Sequence, residues 1–327
     1  VLVNIPDSLY FSEGPDMGAL ESPYEGSGGS TELVVEYLEG WNIVGLPLYV
    51  EDASYGTLFS DAVNGTLYGY EGSYYGSDVL EAGNGYWLVF TNDGSADISG
   101  EAITSLTISL SEGWNLITGI SSPVAVESIS DPGDIIVSGT IYGYGGSYYN
   151  ADAIEPGKGY WLNAFADGDI TFGEGLARSR PVFEDMIAGA NTLTINGQDL
   201  YFGIDIPADK MMSYSLPPKP PSGAFDVRFK DNTKIRGENS EIEVMSPYET
   251  ITISYDVVLD AGEYMHWVLN TGSGEEYILE QDGEITVPTE NTFTLERKAI
   301  IPISYALHQN YPNPFNPVTT LRYDLPI

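Results

Sequence analysis

Two histidines and no cysteine limit the chemistry open to this 327-residue chain. Without thiols there is no Cys nucleophile, thiolate metal site, iron–sulfur cluster or disulfide. His266 lies in the alternating run Met265-His266-Trp267-Val268, and His308 lies near the C-terminus. A Ser-His-Asp triad would need one of them, yet no Gly-x-Ser-x-Gly elbow or His-Glu-x-x-His pair is present. A structural role suits both better. Gly143-Tyr144-Gly145-Gly146 lacks the GxGxxG phosphate-loop spacing and reads as a turn. Carboxylates remain, 48 of them. Two suffice for a glycosidase, but so many acids make close pairs inevitable, and no large loop set frames a sugar cleft. Calcium is the better use. Asn92, Asp93 and Asp97, and their repeat equivalents Asp167 and Asp169, stand in acidic turns with oxygens at alternating positions,. Neither turn is a twelve-residue calcium loop, so a solvated β-turn is the competing reading. Calcium is the only cofactor these residues suggest, and the chain reads as a non-enzyme.

The charge balance narrows the partners. Against 12 Lys and Arg, the 48 acids give a formal net charge of −36. Such a surface repels phosphate backbones, so nucleic acid is excluded, and anionic membranes are disfavoured. No apolar run approaches the ~18–20 residues of a membrane span. Lys158 is the one basic residue in 1–175, and the other 11 begin at Arg178, which marks a boundary. There is no N-terminal signal peptide, and the chain opens at Val1 without Met. It therefore reads as a processed product or a fragment.

Elements that position these residues follow from an internal repeat. LEGWNIVGLPL (38–48) and GTLYGYEGSYYGSDVLEAGNGYWL (65–88) recur as LSEGWNLITGISSP (110–123) and GTIYGYGGSYYNADAIEPGKGYWL (139–162). Trp41 and Trp114 are offset by 73 and Trp87 and Trp161 by 74, so one residue is added in the variable middle. Val, Ile, Thr and Tyr dominate, Gly punctuates, and no helical periodicity persists. The four tryptophans read as core packing, with an exposed sugar-stacking platform as the alternative. Tyr74-Tyr75 and Tyr148-Tyr149 differ. Adjacent strand residues face opposite ways, so one Tyr of each pair should point outward, toward carbohydrate, another subunit or solvent.

The expected layout is an N-terminal extension (1–31), β modules at 32–103 and 104–175, a linker at 176–184, a β-sandwich at 185–300 and a C-terminal segment at 301–327. About eight strands are expected in the sandwich: 193–195, 200–204, 225–229, 242–245, 250–255, 266–269, 285–287 and 292–295. That count suggests immunoglobulin-like dimensions. Leu216-Pro217-Pro218-Lys219-Pro220-Pro221 has four residues without an N–H, so it cannot be a central strand and should be an extended surface segment. The fold class is all-β: tandem small sandwich-like repeats, an immunoglobulin-like sandwich and the first strand of a further domain.

The repeat resembles the small GWN…GYW β modules of bacterial surface-layer and adhesin-like proteins, which implies a spacer or binding module. The third domain resembles the sandwich that often precedes the sorting signal in secreted Bacteroidota-type proteins. Gln309, Asn310, Tyr311, Pro312, Asn313, Pro314, Phe315, Asn316 and Pro317 form a Gln-Asn-Tyr-Pro-Asn-Pro-Phe-Asn-Pro run. It resembles the opening of the type IX secretion C-terminal sorting domain, with a first strand at 320–325. That pattern normally continues beyond the point where this sequence stops. The resemblance implies the type IX machinery as a partner and an extracellular or cell-surface location. The combined reading is a secreted structural or adhesive protein, self-assembling into a filament or layer, with itself or surface carbohydrate as partner. The alternatives are an accessory region of a larger secreted hydrolase and a carbohydrate-binding module.

Overall fold

A computed structural model describes residues 30–173, 183, 185–237, 239–258, 265–299, 305–311, 313, 314, 317–321, 323 and 324. The N-terminal extension up to residue 29, most of the 176–184 linker, and Pro312, Phe315 and Asn316 lie outside the described residues.

The first repeat runs β1 (Thr31–Tyr37), β2 (Gly40–Gly45), β3 (Leu48–Tyr49), one helical turn α1 (Tyr55–Leu58), β4 (Tyr68–Tyr70), β5 (Tyr74–Gly76), β6 (Gly85–Phe90) and β7 (Gly94–Ala102). In β1 a period of two is plain: Val35 and Tyr37 are buried while Val34 is 61% exposed,. The antiparallel β7 pairs with the whole of β1, and β3 takes its other edge. Strands β2, β6, β4 and β5 form the second sheet in that order. Val35, Tyr37, Leu48, Phe59, Leu67, Leu88, Phe90 and Ile98 belong to the core between them.

The second repeat follows with β8 (Ser105–Leu110), β9 (Gly113–Thr118), β10 (Val124–Ala125), β11 (Tyr142–Tyr144), β12 (Tyr148–Asn150), β13 (Ala153–Ile154), β14 (Gly159–Ala164) and β15 (Gly168–Gly173). Its four-stranded sheet, β12-β11-β14-β9, reproduces the first repeat's β5-β4-β6-β2. Strands β6 and β14 are buried on both faces. Tyr86, Leu88 and Phe90 face one core, Tyr160, Leu162 and Ala164 another, and Trp87 and Trp161 point the opposite way into a shared aromatic cluster.

The third domain is a sandwich of two five-stranded sheets. Its strands are β16 (Asn191–Ile195), β17 (Gln198–Phe202), β18 (Asp226–Phe229), β19 (Ile235–Arg236), β20 (Ser240–Met245), β21 (Thr250–Val257), β22 (Met265–Thr271), β23 (Glu276–Leu279), β24 (Gln281–Pro288) and β25 (Thr292–Ala299). The orders are β19-β17-β16-β21-β24 and β18-β20-β25-β22-β23. Pairing is antiparallel except between β17 and β19. Leu193, Phe202, Val227, Ile253, Trp267, Leu269 and Leu295 lie in the core they enclose. The two strands beyond the eight expected are β19 and β23, both at sheet edges; β19 has two residues, and the β23 sequence Glu-Tyr-Ile-Leu does not alternate polar with apolar. In the C-terminal segment β26 (Ala306–Leu307) pairs with β27 (Tyr323–Asp324), and Tyr311 bridges Thr320. No helix among the described residues is long and apolar enough to cross a membrane.

Candidate binding groove between the repeats

The GWN motif is a turn lock followed by a packing residue. Gly40 and Gly113 hold φ of +85° and +94°, a conformation costly to any residue with a Cβ,. Asn42 then closes the turn: its Oδ1 accepts from Leu38 N–H at 2.9 Å and its Nδ2 donates to Leu38 O at 2.7 Å. Asn115 does the same with Ser111 at 2.9 and 2.8 Å. Asp93 Oδ1 accepts the Glu39 N–H at 2.7 Å, and Asp167 Oδ1 accepts the Glu112 N–H at 2.8 Å. Two of the candidate calcium ligands therefore hold equivalent turns together. Asp169 accepts from Ser109 Oγ at 2.7 Å, Asn92 donates to its neighbour Thr91, and Asp97 is exposed on β7 opposite Val34. Among the described residues, no group of three or more His, Cys, Asp or Glu is arranged to hold a metal ion.

The two repeats pack face to face by an approximate two-fold exchange. Gly45 N–H donates to Gly157 O at 2.9 Å, and its counterpart Thr118 N–H donates to Gly83 O at 3.0 Å. Val44 bridges Lys158 as Ile117 bridges Asn84. The chains cross at Gly85 and Gly159. A Cβ on Gly85 would lie 2.7 Å from Ile117 O, and one on Gly159 would lie 2.9 Å from Val44 O and 3.3 Å from the Gly85 Cα. Glycine at the start of GYW is thus required by backbone approach between repeats.

That approach interlocks the aromatic residues. Trp87 meets Tyr144 of the other repeat edge to face at 4.8 Å, and Trp161 meets Tyr70 at 4.8 Å. Trp87–Tyr148 and Trp161–Tyr74 stand at 6.3 and 6.4 Å. Within each repeat, Trp41–Trp87 and Trp114–Trp161 are 6.1 and 6.4 Å apart, near perpendicular. These are favourable quadrupolar arrangements, each worth about 0.5–1.5 kcal/mol beyond area burial. Trp87 and Trp161 are wholly buried, so neither is a sugar-stacking platform. The Trp161 indole nitrogen meets no hydrogen-bond acceptor, a cost set against the surrounding π faces,.

The tyrosine doublets split by strand alternation. Tyr148 is 5% exposed and Tyr74 half-buried, both within the cluster. Their neighbours turn away: Tyr149 is 45% exposed, and the rings of Tyr75 and Tyr149 lie over Gly69 and Gly143.

One face of the cluster would be open if the repeats stood alone. The proline segment of the third domain fills it. The expectation of a surface segment is corrected here: Leu216, Pro217 and Pro220 are buried, because the aromatic groove supplies the cover that a sheet could not. Tyr148 Oη donates to Pro218 O at 3.1 Å and Tyr74 Oη to Lys219 O at 2.9 Å. Trp41 Nε1 donates to Ser222 O at 3.3 Å, and Tyr144 Oη bonds both the carbonyl and the N–H of Phe225 at 3.0 Å. From the other side, Arg228 donates to Pro217 O at 2.6 Å and forks onto Asp226 at 2.6 and 2.7 Å, wholly buried. Lys234 donates to Asn150 and stands 5.4 Å from the Tyr142 ring centre.

Burial raises the hydroxyls of Tyr74, Tyr144 and Tyr148 well above the ordinary phenol value, so they stay protonated donors,. Burial pushes the Lys234 ammonium the other way, down to about 8. Sequence reasoning picked out Tyr74 and Tyr148 and read Trp41 as a packing residue without its donor role, but missed Tyr144, Asp226, Arg228 and Lys234. The one available signal was that most basic residues cluster in the domain that supplies the proline segment. His266 lies half-buried in β22 and His308 half-buried in the C-terminal segment, far apart in sequence and in different elements.

Fold and groove together define a multidomain all-β protein whose repeats are joined by mutual aromatic packing and closed by a proline-rich segment. No family model, no curated protein and no solved structure matches the chain.

Proposed function

We propose that the protein is a secreted, cell-surface structural or adhesive protein that serves as a subunit of an extracellular filament or layer. The observation that carries this reading is the construction of the repeats. Their aromatic residues fasten module to module and module to sandwich, which yields a stiff spacer in place of an open cleft. A net charge of −36 keeps such a body soluble outside the cell,. Edge strands β1 and β23 carry Val34 and Ile278 at 61% and 52% exposure, and unpaired edges are natural contacts between copies,. The C-terminal nonamer supports the type IX machinery as export partner. Calcium bound between copies at the acidic turns would bridge surfaces that otherwise repel.

Electron microscopy and light scattering of the native material, with and without EDTA, test the reading. Regular filaments or sheets support it, and their loss in EDTA supports the calcium bridge. Monodisperse particles in both conditions would overturn it and favour an accessory region of a larger secreted enzyme.

A further inference from the structure

The segment 216–222 sits among the aromatic residues as a ligand sits in a receptor. Four of the six residues in 216–221 are proline, so the segment presents carbonyls with few N–H groups,. What surrounds it matches that chemistry. Tyr148, Tyr74 and Trp41 offer O–H, O–H and N–H donors to the carbonyls of Pro218, Lys219 and Ser222. Trp87 and Trp161, packed edge to face against Tyr144, Tyr148, Tyr70 and Tyr74, form the apolar floor, and Leu216 joins the same cluster. Donor-bearing aromatic grooves suit proline-rich extended chains for two reasons: the ligand is already stiff, and its carbonyls have no competing intramolecular partner.

The donors come from both repeats. Tyr74 and Tyr148 are exchanged by the approximate two-fold, yet they bind successive carbonyls of one asymmetric strand. The groove therefore exists only when the repeats are paired. A simple inter-domain seam does not require this arrangement of equivalent hydroxyls on adjacent acceptors.

We propose that the paired repeats are a receptor for proline-rich extended segments, occupied in this chain by its own residues 216–222. Its ligand class is a peptide of the Leu-Pro-Pro-Lys-Pro-Pro type. Free in solution, such a peptide competes with a tethered copy of itself at millimolar effective concentration. This proposal stands independently of surface assembly.

The test uses the full chain carrying Pro218→Gly, Pro220→Gly and Pro221→Gly, which loosens the internal segment. A synthetic peptide of residues 215–223 is titrated by calorimetry and tryptophan fluorescence. The peptide should bind this variant about tenfold or more tighter than it binds the unaltered chain. Adding Tyr74→Phe and Tyr148→Phe should weaken binding about tenfold, as expected for two lost hydrogen bonds. A peptide with alanine at the proline positions should not bind. A folded triple variant that binds neither peptide overturns the proposal. Should the variant fail to fold, the peptide is titrated at millimolar concentration into the unaltered chain and followed by the indole N–H resonances. Displacement must then move the Trp41 signal and leave that of Trp267, in the third domain's core, unmoved. Absence of any Trp41 shift overturns the proposal equally.

Discussion

Removing the carboxylate of Asp226 should destabilise the third domain more than removing the entire ion pair. Arg228 is wholly buried and makes four hydrogen bonds: two to Asp226, one to Pro217 O, and one to Asn232 Oδ1 at 3.2 Å. Asp226→Leu strands the guanidinium with two donors and a full charge uncompensated, at a cost of about 3–5 kcal/mol. Asp226→Leu with Arg228→Met removes the charge as well. Only the acceptors Pro217 O and Asn232 Oδ1 then lose a donor, for about 1 kcal/mol each, partly offset by apolar burial. Native-state hydrogen exchange of the β18 amides, which pair with β20, reports this domain separately from the repeats,. The single variant should exchange roughly several hundred-fold faster or more, since each 1.36 kcal/mol is tenfold. The double variant should exchange within roughly a hundredfold of the unaltered chain. If the single substitution costs less than about 1 kcal/mol, or the double one costs more than the single, the argument from buried charge fails.

Gly159→Ala drives a Cβ into Ile43 and Val44 O at the crossing of the repeats and should cost about 1–3 kcal/mol in thermal unfolding,. Gly56→Ala, with nothing nearby, should stay within about 0.5 kcal/mol of the unaltered chain; equal melting temperatures for the two would refute the close approach,. Asn42→Ala and Asn115→Ala remove equivalent turn locks and should lower the unfolding free energy from urea titration by similar amounts, about 1–3 kcal/mol each,. Unequal losses would mean the two turns are not the same device. Lys234 loses its proton near pH 8 in the folded chain, whereas an exposed lysine holds it to about 10.4,. Between those values the unfolded state binds more protons, so this residue adds stability as pH rises, by about 3 kcal/mol over the window. Above about pH 10 the buried tyrosines reverse the slope, because the unfolded chain ionises them first,. Urea midpoints from pH 7 to 10 should rise less steeply in Lys234→Met, and identical slopes would refute the assignment.

The all-β class, the repeats and most strands of the sandwich are legible along the chain, because each rests on local chemistry. Alternation in TELVVEY exposes Val34 and buries Val35, and the same rule divides Tyr148 from Tyr149. Glycine at 40 and 113 and asparagine at 42 and 115 make one turn twice, whatever surrounds it. Strand β19 escaped notice because two residues show no period, and β23 because Glu-Tyr-Ile-Leu runs three apolar residues together without alternation.

What only the tertiary structure decided is where the repeated aromatics go and what covers them. Trp87 and Trp161 read as core residues from the sequence, and they are buried, but which core they enter is not local. Their burial depends on a partner repeat and on a proline segment more than fifty residues away in sequence. The proline segment shows the same limit. Its missing N–H groups forbid a central strand wherever it lies, and that much is local. Its burial is not local, since it required carbonyls to find donors on Tyr74, Tyr148 and Trp41, which no neighbouring residue could supply,.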